Sequence, residues 1–428
     1  MRPAADPSSA VDLAALAEHY RFVRSTSAAL CEPLSAEDFV VQSMPDASPA
    51  KWHLAHTSWF FEEFVLQRAD PGYTFFDAEF RFLFNSYYNS VGPMHGRSHR
   101  GLLSRPTVTQ IFAYRACIDE RMGALLQDEA LSGELLRISL LGLHHEQQHQ
   151  ELLLTDLKHL FSCNPLLPAY KAGPAAASHG SCGLSFTDFN GGLIDIGHAG
   201  AGFCFDNELP RHRAYTEPFR LASRAVTNGE FLEFVRSGGY ENAAHWLSDG
   251  WSTAQREGWR HPLYWSAALD QEFTLAGLQE LNPDAPVCHV SYYEADAFAR
   301  WAGARLPTET EWELAANDSP VQGNFVESGH RHPQPATHSA LSPNAQSSLL
   351  QMFGDVWEWT QSPYTPYPGF SPQEGALGEY NGKFMVNQLV LRGGSCATPG
   401  SHVRPTYRNF FNPAARWQFS GLRLATDT

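Results

Sequence analysis

His145-Glu146-Gln147-Gln148-His149-Gln150-Glu151 lies inside a leucine-rich frame running from about Leu135 to Leu160, with Leu140, Leu141, Leu143, Leu152, Leu153, Leu154 and Leu157 alongside a polar run. The frame reads as a helix. Two imidazoles four residues apart on a helix lie about 40° apart around the axis and roughly 6 Å apart along it, so one metal ion can take a nitrogen from each. The same spacing also occurs on solvated helical faces. Here Gln147, Gln148, Gln150 and a further His144 fill the turn with neutral donors and acceptors, which favours a site over a surface. Glu151 points about 200° away from His149 and belongs to packing or to the surroundings of the ligands.

The stretch also matches the His-Glu-x-x-His pattern of zinc peptidases, in which the Glu beside the first ligand is the general base. No His-x-x-Gly-x-x-His continuation follows, and the leucine-rich chain after Glu151 offers no further ligand in a recognisable frame. The third ligand must come from elsewhere. A second helical stretch contains Trp52-His53-Leu54-Ala55-His56-Thr57-Ser58-Trp59, where spacing alone leaves both His53 and His56 open as that ligand. Three neutral imidazoles on one face of an ion leave positions for substrate and dioxygen on ferrous iron, or for water on zinc.

A chain of 428 residues holds two domains, each large enough for its own core. The formal charge of -16 opposes nucleic acid and anionic membranes as partners. Met1 to Glu18 lacks the continuous apolar core of a secretory signal, and no apolar run reaches membrane-spanning length, so a soluble cytoplasmic protein is expected. Cys31, Cys117, Cys163, Cys182, Cys204, Cys288 and Cys396 are scattered and odd in number, which fits reduced thiols better than a disulfide frame or a zinc cage.

Four helices are expected in the first part: Val11 to Leu30, Ser48-Pro49 to about Gln67, Thr107 to Gln127, and Ser132 to Phe161. A bundle of this kind places metal ligands on facing helices. Asp70 to Pro106 is too long for an idle connection. It carries the Tyr87-Tyr88 pair and then His95, Arg97, His99, Arg100 and Arg105. A tyrosine beside a metal can donate a proton or hold a substrate, and arginine forks suit a carboxylate. After a linker from Asn164 to Gly183, with its Ala175-Ala176-Ala177 tract, the texture changes to short apolar segments broken by Gly, Pro, Asn and Asp. That half reads as mixed α+β, with helices at Thr227 to Ser237 and Tyr292 to Ala302. The expected division is a bundle over residues 1–163, a linker over 164–185 and a second domain over 186–428.

The second domain resembles the formylglycine-generating-enzyme fold, a C-type-lectin-related architecture. The resemblance rests on Asp206-Asn207-Glu208-x-Pro210-x-His212, Val226-Thr227-Asn228-x-Glu230-Phe231, Pro286-Val287-x-x-Val290-Ser291 and Ala304-Arg305-Leu306-Pro307-Thr308-Glu309-x-Glu311-Trp312-Glu313. Gly354-Asp355-Val356-Trp357-Glu358-Trp359-Thr360, Leu391-Arg392-Gly393-Gly394-Ser395 and Gly421-Leu422-Arg423 complete it. Formylglycine generation itself is associated with a close cysteine pair near the C-terminus, and Cys396 has no such neighbour. The first domain resembles a DinB-type bundle carrying His-x-x-x-His-x-Glu at His145, His149 and Glu151. The pairing resembles the ergothioneine-biosynthesis sulfoxide synthases over nearly the whole chain.

That resemblance implies a mononuclear non-haem iron(II) enzyme that uses dioxygen to couple a thiol to the imidazole ring of hercynine (Nα-trimethylhistidine), giving a sulfoxide. By matching segments, it implies His56, rather than His53, with His145 and His149 as metal ligands, and Gln148 as a residue positioning the substrate imidazole. Tyr407-Arg408-Asn409-Phe410-Phe411-Asn412-Pro413 matches a substrate-binding segment, which places Asn409 and Phe410 near the trimethylammonium end. In the subgroup using γ-glutamylcysteine this segment reads Arg-Asn-Trp-Asp. Phe410 and Phe411 replace the last two residues here, which removes a partner for the γ-glutamyl ammonium and points to free cysteine as donor. The tyrosine pair also resembles the cysteine-using subgroup, with Tyr87 or Tyr88 as proton or hydrogen-atom donor and Arg97 and Arg100 on the cysteine carboxylate. Small-molecule substrates and a pathway lyase follow from the same resemblance. The alternatives are selenium transfer to hercynine, ovothiol-type coupling, a zinc peptidase, and a non-catalytic lectin-like binding module.

Overall fold

Asp12 accepts hydrogen bonds from the backbone N–H groups of Ala14 and Ala15 and so opens the first helix, Leu13–Ala29. The structure, a computed structural model, describes residues 12–173, 182–317, 319–337 and 349–428. Val11, where the first helix was expected to begin, and the Ala175-Ala176-Ala177 tract lie outside the described residues. The chain divides into two compact units. The first takes the chain up to Leu160 together with Ala199–Phe205 and Gln373–Tyr380; the second takes Phe161–His198, Asp206–Pro372 and Asn381–Thr428.

In the first unit the long helices are Leu13–Ala29, Ala50–Phe61, Val108–Leu125 and Gly133–Ser162. Every residue of Ala50–Phe61 is buried, so this helix forms the centre of the unit. It continues through a π-helical turn, Glu62–Leu66, into Gln67–Ala69. The Val108–Leu125 helix opens on a capping box in which Thr107 and Gln110 satisfy each other's backbone N–H groups. The long stretch between Asp70 and Pro106 contains a short helix, Phe80–Phe84, and a 3-10 turn, Arg97–Leu102. Its backbone supports the central helix, because the Leu83 carbonyl accepts from Trp52 Nε1 and the Phe84 carbonyl lies 2.6 Å from His56 Nδ1.

Among its described residues the second unit holds four small sheets. A three-stranded antiparallel sheet joins β1 (Phe186–Phe189), β4 (Phe219–Ala222) and β11 (Ala425–Asp427) in that order. β2 (Gly192–Ile196) pairs with β3 (His212–Thr216), and β5 (Gln271–Thr274) with β6 (Gly277–Glu280). The fourth sheet runs β10 (Ser420–Gly421), β7 (Trp357–Pro363), β8 (Leu389–Arg392), β9 (Asn409–Phe411), with β10 parallel to β7. Three helices of this unit begin on capping boxes, Thr227 with Glu230, Ser291 with Glu294 and Thr308 with Glu311. The charged residues of the motifs pair with one another, Arg392 with Glu309 and Glu313 and Arg423 with Glu358 in the interior, and Arg305 with Glu311 in a half-buried position. Two helices beyond those expected are present, Ser248–Arg256 and Glu309–Ala316. Six of the eight residues in Glu309–Ala316 are buried, so it shows no polar face to betray its period.

Candidate metal centre

Gly142 allows the Gly133–Ser162 helix to approach the central helix. A Cβ there would stand 2.6 Å from Phe61 Cε1 and 3.0 Å from Phe60 Cδ1. Glycine costs about 1 kcal/mol relative to alanine inside a helix, and the close crossing explains its presence. Beyond it, His145 and His149 face His56, and one nitrogen from each ring lies within 4.8 Å of the other two. His56 Nε2 and His145 Nε2 are 3.2 Å apart. Two nitrogens on one ion at about 2.1 Å, with angles between octahedral and tetrahedral, lie about 3.0–3.4 Å apart, so this pair is already at ligand spacing.

The hydrogen bonds fix which nitrogens are bare. The Phe84 carbonyl can only accept, so His56 Nδ1 carries the proton and Nε2 presents its lone pair. His149 Nδ1 lies 2.8 Å from His53 Nδ1, which leaves Nε2 for the cluster. His145 Nδ1 is buried without a hydrogen-bond partner. Burial holds the His145 imidazole down to about 3. Burial, and then the neighbouring imidazoles, hold His56 and His149 well below the usual histidine range. All three are therefore neutral at pH 7, the form that binds a metal. The set fits a divalent first-row ion.

The neighbouring glutamate is built differently. Glu146 is buried on the far side of the turn, where it accepts from Arg24 at 2.9 Å, from Ser27 Oγ at 2.6 Å and from Arg115. Burial opposes its ionisation, but Arg115 and Arg24 prevail and hold the carboxyl down to about 2. A general base needs a proton affinity near the working pH and a free oxygen, and Glu146 has neither. The peptidase pattern is thus matched in letters and not in geometry.

Around the histidines, Trp52 stacks on His56 at 4.6 Å between ring centroids, with an interplanar angle of 13°. Arg100 lies over Trp52 at 3.3 Å and reaches Ser48 Oγ and Ser86 Oγ. Among the described residues it forms no ion pair with a carboxylate, whereas the other buried arginines, Arg24, Arg115, Arg224, Arg392, Arg408, Arg416 and Arg423, each form one. Burial, with Arg97 adding to it and Asp156 opposing, presses its guanidinium towards losing charge. Arg97 is exposed.

Tyr87 and Tyr88 stack at 4.6 Å. Tyr88 is fully buried against Trp59 and Phe64, and burial raises its phenol well above the usual tyrosine value. Gln148 accepts a hydrogen bond from the hydroxyl of Tyr380, whose ring lies 5.6 Å from His145 and 6.2 Å from Tyr87. Tyr380 carried no signal in the sequence, because it stands far from the bundle in the chain. Glu379 beside it accepts from the backbone N–H groups of Asn89 and Ser90, just after the tyrosine pair. In the second unit, Asn409, Phe410 and Phe411 form β9, and Phe410 stacks on Tyr364 at 4.0 Å and lies 5.9 Å from Phe384. Among the described residues no disulfide joins any of the seven cysteines, and Cys396 is buried.

The DinB superfamily profile matches residues 19–153, and the sulfatase-modifying factor enzyme 1-like domain profile matches 187–428. A histidine-bearing helical bundle followed by that domain defines the class. The chain is 33% identical to a hercynine oxygenase of Mycobacterium tuberculosis, over 90% of this chain and 92% of the relative. It is 33% identical to a hercynine oxygenase of Mycolicibacterium thermoresistibile, over 90% and 88%. A formylglycine-generating enzyme of Streptomyces coelicolor is 30% identical over 60% of this chain and 94% of its own length. The chain belongs to the hercynine oxygenase family, and it is an enzyme of the oxygenase class. Among the described residues, no helix is long and apolar enough to cross a membrane.

Proposed function

We propose that this protein couples cysteine to hercynine with dioxygen, using a ferrous ion held by His56, His145 and His149. The observation that carries the reading is the convergence of three neutral imidazoles in a chain of this family. The reaction balances as one C–H and one S–H bond lost, a carbon-sulfur bond formed, one oxygen atom delivered to sulfur and the other leaving as water. Ferrous iron, when bound, supplies the activation of dioxygen. The remaining work falls to side chains.

Gln148, steadied by the Tyr380 hydroxyl, is suited to orient the hercynine imidazole through its amide. Arg100 is the proposed anchor of the cysteine carboxylate: a buried guanidinium that feels Asp156 only from beyond ion-pair distance gains most from a planar anion in direct contact. Arg97, being exposed, is assigned the outer end of the same subsite. Tyr87 and Tyr88 are the proposed proton source, and the high proton affinity of Tyr88 keeps its phenol loaded at neutral pH. Asn409 and Phe410 are assigned to the trimethylammonium end, which an aromatic face suits because that cation has no hydrogen-bond donor. Phe411, in place of an acid, supports free cysteine over γ-glutamylcysteine.

Product analysis tests the reading. Enzyme reconstituted anaerobically with ferrous iron is given air, hercynine and one of the two thiols, and products are identified by mass spectrometry. The expected product is hercynyl-cysteine sulfoxide from free cysteine. Coupling with γ-glutamylcysteine alone would overturn the donor assignment, and cysteine sulfinate as the sole product would overturn the coupling.

A further inference from the structure

His53, the histidine of the central helix that does not join the cluster, is buried and bonded at both nitrogens. Its Nδ1 lies 2.8 Å from His149 Nδ1 and its Nε2 lies 3.1 Å from Asp156 Oδ2. The same Asp156 oxygen accepts from the backbone N–H of Ser48 at 2.7 Å, just ahead of the central helix. We infer that Asp156 and His53 form a positioning pair that holds His149 with its Nε2 lone pair turned to the metal. The inference rests on the metal reading above.

The direction of the hydrogen bonds carries the argument. An ionised carboxylate only accepts, so His53 Nε2 carries the proton and His53 Nδ1 is left as an acceptor. His149 must then donate from Nδ1, and its bare nitrogen is Nε2. Without His53, the Nδ1–H of a ring that faces the protein interior would lack an acceptor, and the other tautomer, whose lone pair points away from the cluster, would compete. The Phe84 carbonyl does for His56 what His53 does for His149. His53 also joins the two helices that bring the ligands together, since Asp156 lies two turns beyond His149 on the Gly133–Ser162 helix. A ligand histidine that donates its second N–H to a carboxylate or its relay is held in one orientation, and losing such a partner weakens metal affinity about 10- to 100-fold.

Cobalt(II) titration of the apoprotein, read by the visible d–d absorption of the bound ion, tests this without any turnover. His53→Leu is expected to weaken cobalt binding about 10- to 100-fold and to change the d–d envelope. His53→Gln, whose amide oxygen can accept from His149 Nδ1, is expected to recover wild-type affinity to within about threefold. Asp156→Asn, at a residue remote from the ion, is expected to fall between them, which keeps the test open should the leucine variant fail to fold. A purely structural His53 would change the apoprotein melting temperature and leave the affinity and spectrum of the folded variants at wild-type values; that result overturns the inference. His56→Ala separates the two claims. If it abolishes cobalt binding while the His53 and Asp156 variants bind as wild type, the positioning pair fails alone. If it binds as wild type, the metal reading itself fails.

Discussion

Glu146→Gln perturbs the site's least replaceable ion pair while preserving its shape. The carboxylate is fully enclosed, takes hydrogen bonds from Arg24, Ser27 and Arg115, and is held down to about 2 against an ordinary 4.5. At about 1.4 kcal/mol per pH unit, that difference corresponds to about 3 kcal/mol of stability at neutral pH, the lower end of the 3–5 kcal/mol expected on breaking a buried pair. The sign follows from linkage. A folded-state value below the unfolded one gives stability that is full above about pH 4.5 and lost as pH falls towards 2, so the variant should lose this part of the acid transition as well. Urea unfolding followed by far-UV circular dichroism should show the helical transition destabilised by about 3 kcal/mol at pH 7, with one cobalt(II) still bound to the folded protein. A stability within about 0.5 kcal/mol of wild type, accompanied by loss of metal-dependent turnover, would refute the structural role of Glu146 and return the peptidase reading to contention.

Arg100→Lys keeps the charge and removes the fork, and should raise KM for cysteine about 10-fold or more while changing kcat less, as steady-state kinetics would show. Tyr88→Phe and Tyr87→Phe should lower coupling by about 100-fold for whichever residue donates the proton, with cysteine oxidation persisting in the product profile. Gly142→Ala gains about 1 kcal/mol of helix propensity but sets a Cβ 2.6 Å from the Phe61 ring, so cobalt affinity should drop at least about 10-fold as the helices part. In the second unit, burial raises the Asp355 carboxyl to about 6 against the hydrogen bonds from Asn324, Gln334 and Gln351. A raised value gives stability that is present below about pH 4 and lost as pH rises through 6, about 3 kcal/mol at most, and Asp355→Asn should flatten the stability profile across that window.

The parts of this fold that show in the sequence are those whose cause is local. The His145–His149 spacing is set by one helix, and the helices expected after Thr227 and Ser291 open on capping boxes complete within four residues. The Glu309–Ala316 helix escapes notice because burial on all sides erases its period. Other parts depend on pairings between distant residues. His53 looks like a rival ligand to His56 until Asp156, 103 residues later, is seen to hold it from behind. Tyr380 reaches Gln148 across 232 residues, and its segment Gln373–Tyr380 joins the first unit although the chain around it belongs to the second. The same holds for Glu146, whose fate as a caged anion depends on Arg24 and Arg115 from two other helices. Arg100 shows the opposite pattern: its role is suggested by the lack of a direct ion pair with any described carboxylate, Asp156 acting on it only from further away.

Anaerobic ferrous titration followed by the electron paramagnetic resonance of the nitric oxide adduct tests the central claim most directly. The account predicts one iron per chain, a signal that shifts when hercynine is added, and loss of iron in His56→Ala and His145→Ala. Iron retained at one equivalent in those variants, or a signal indifferent to hercynine, would contradict it.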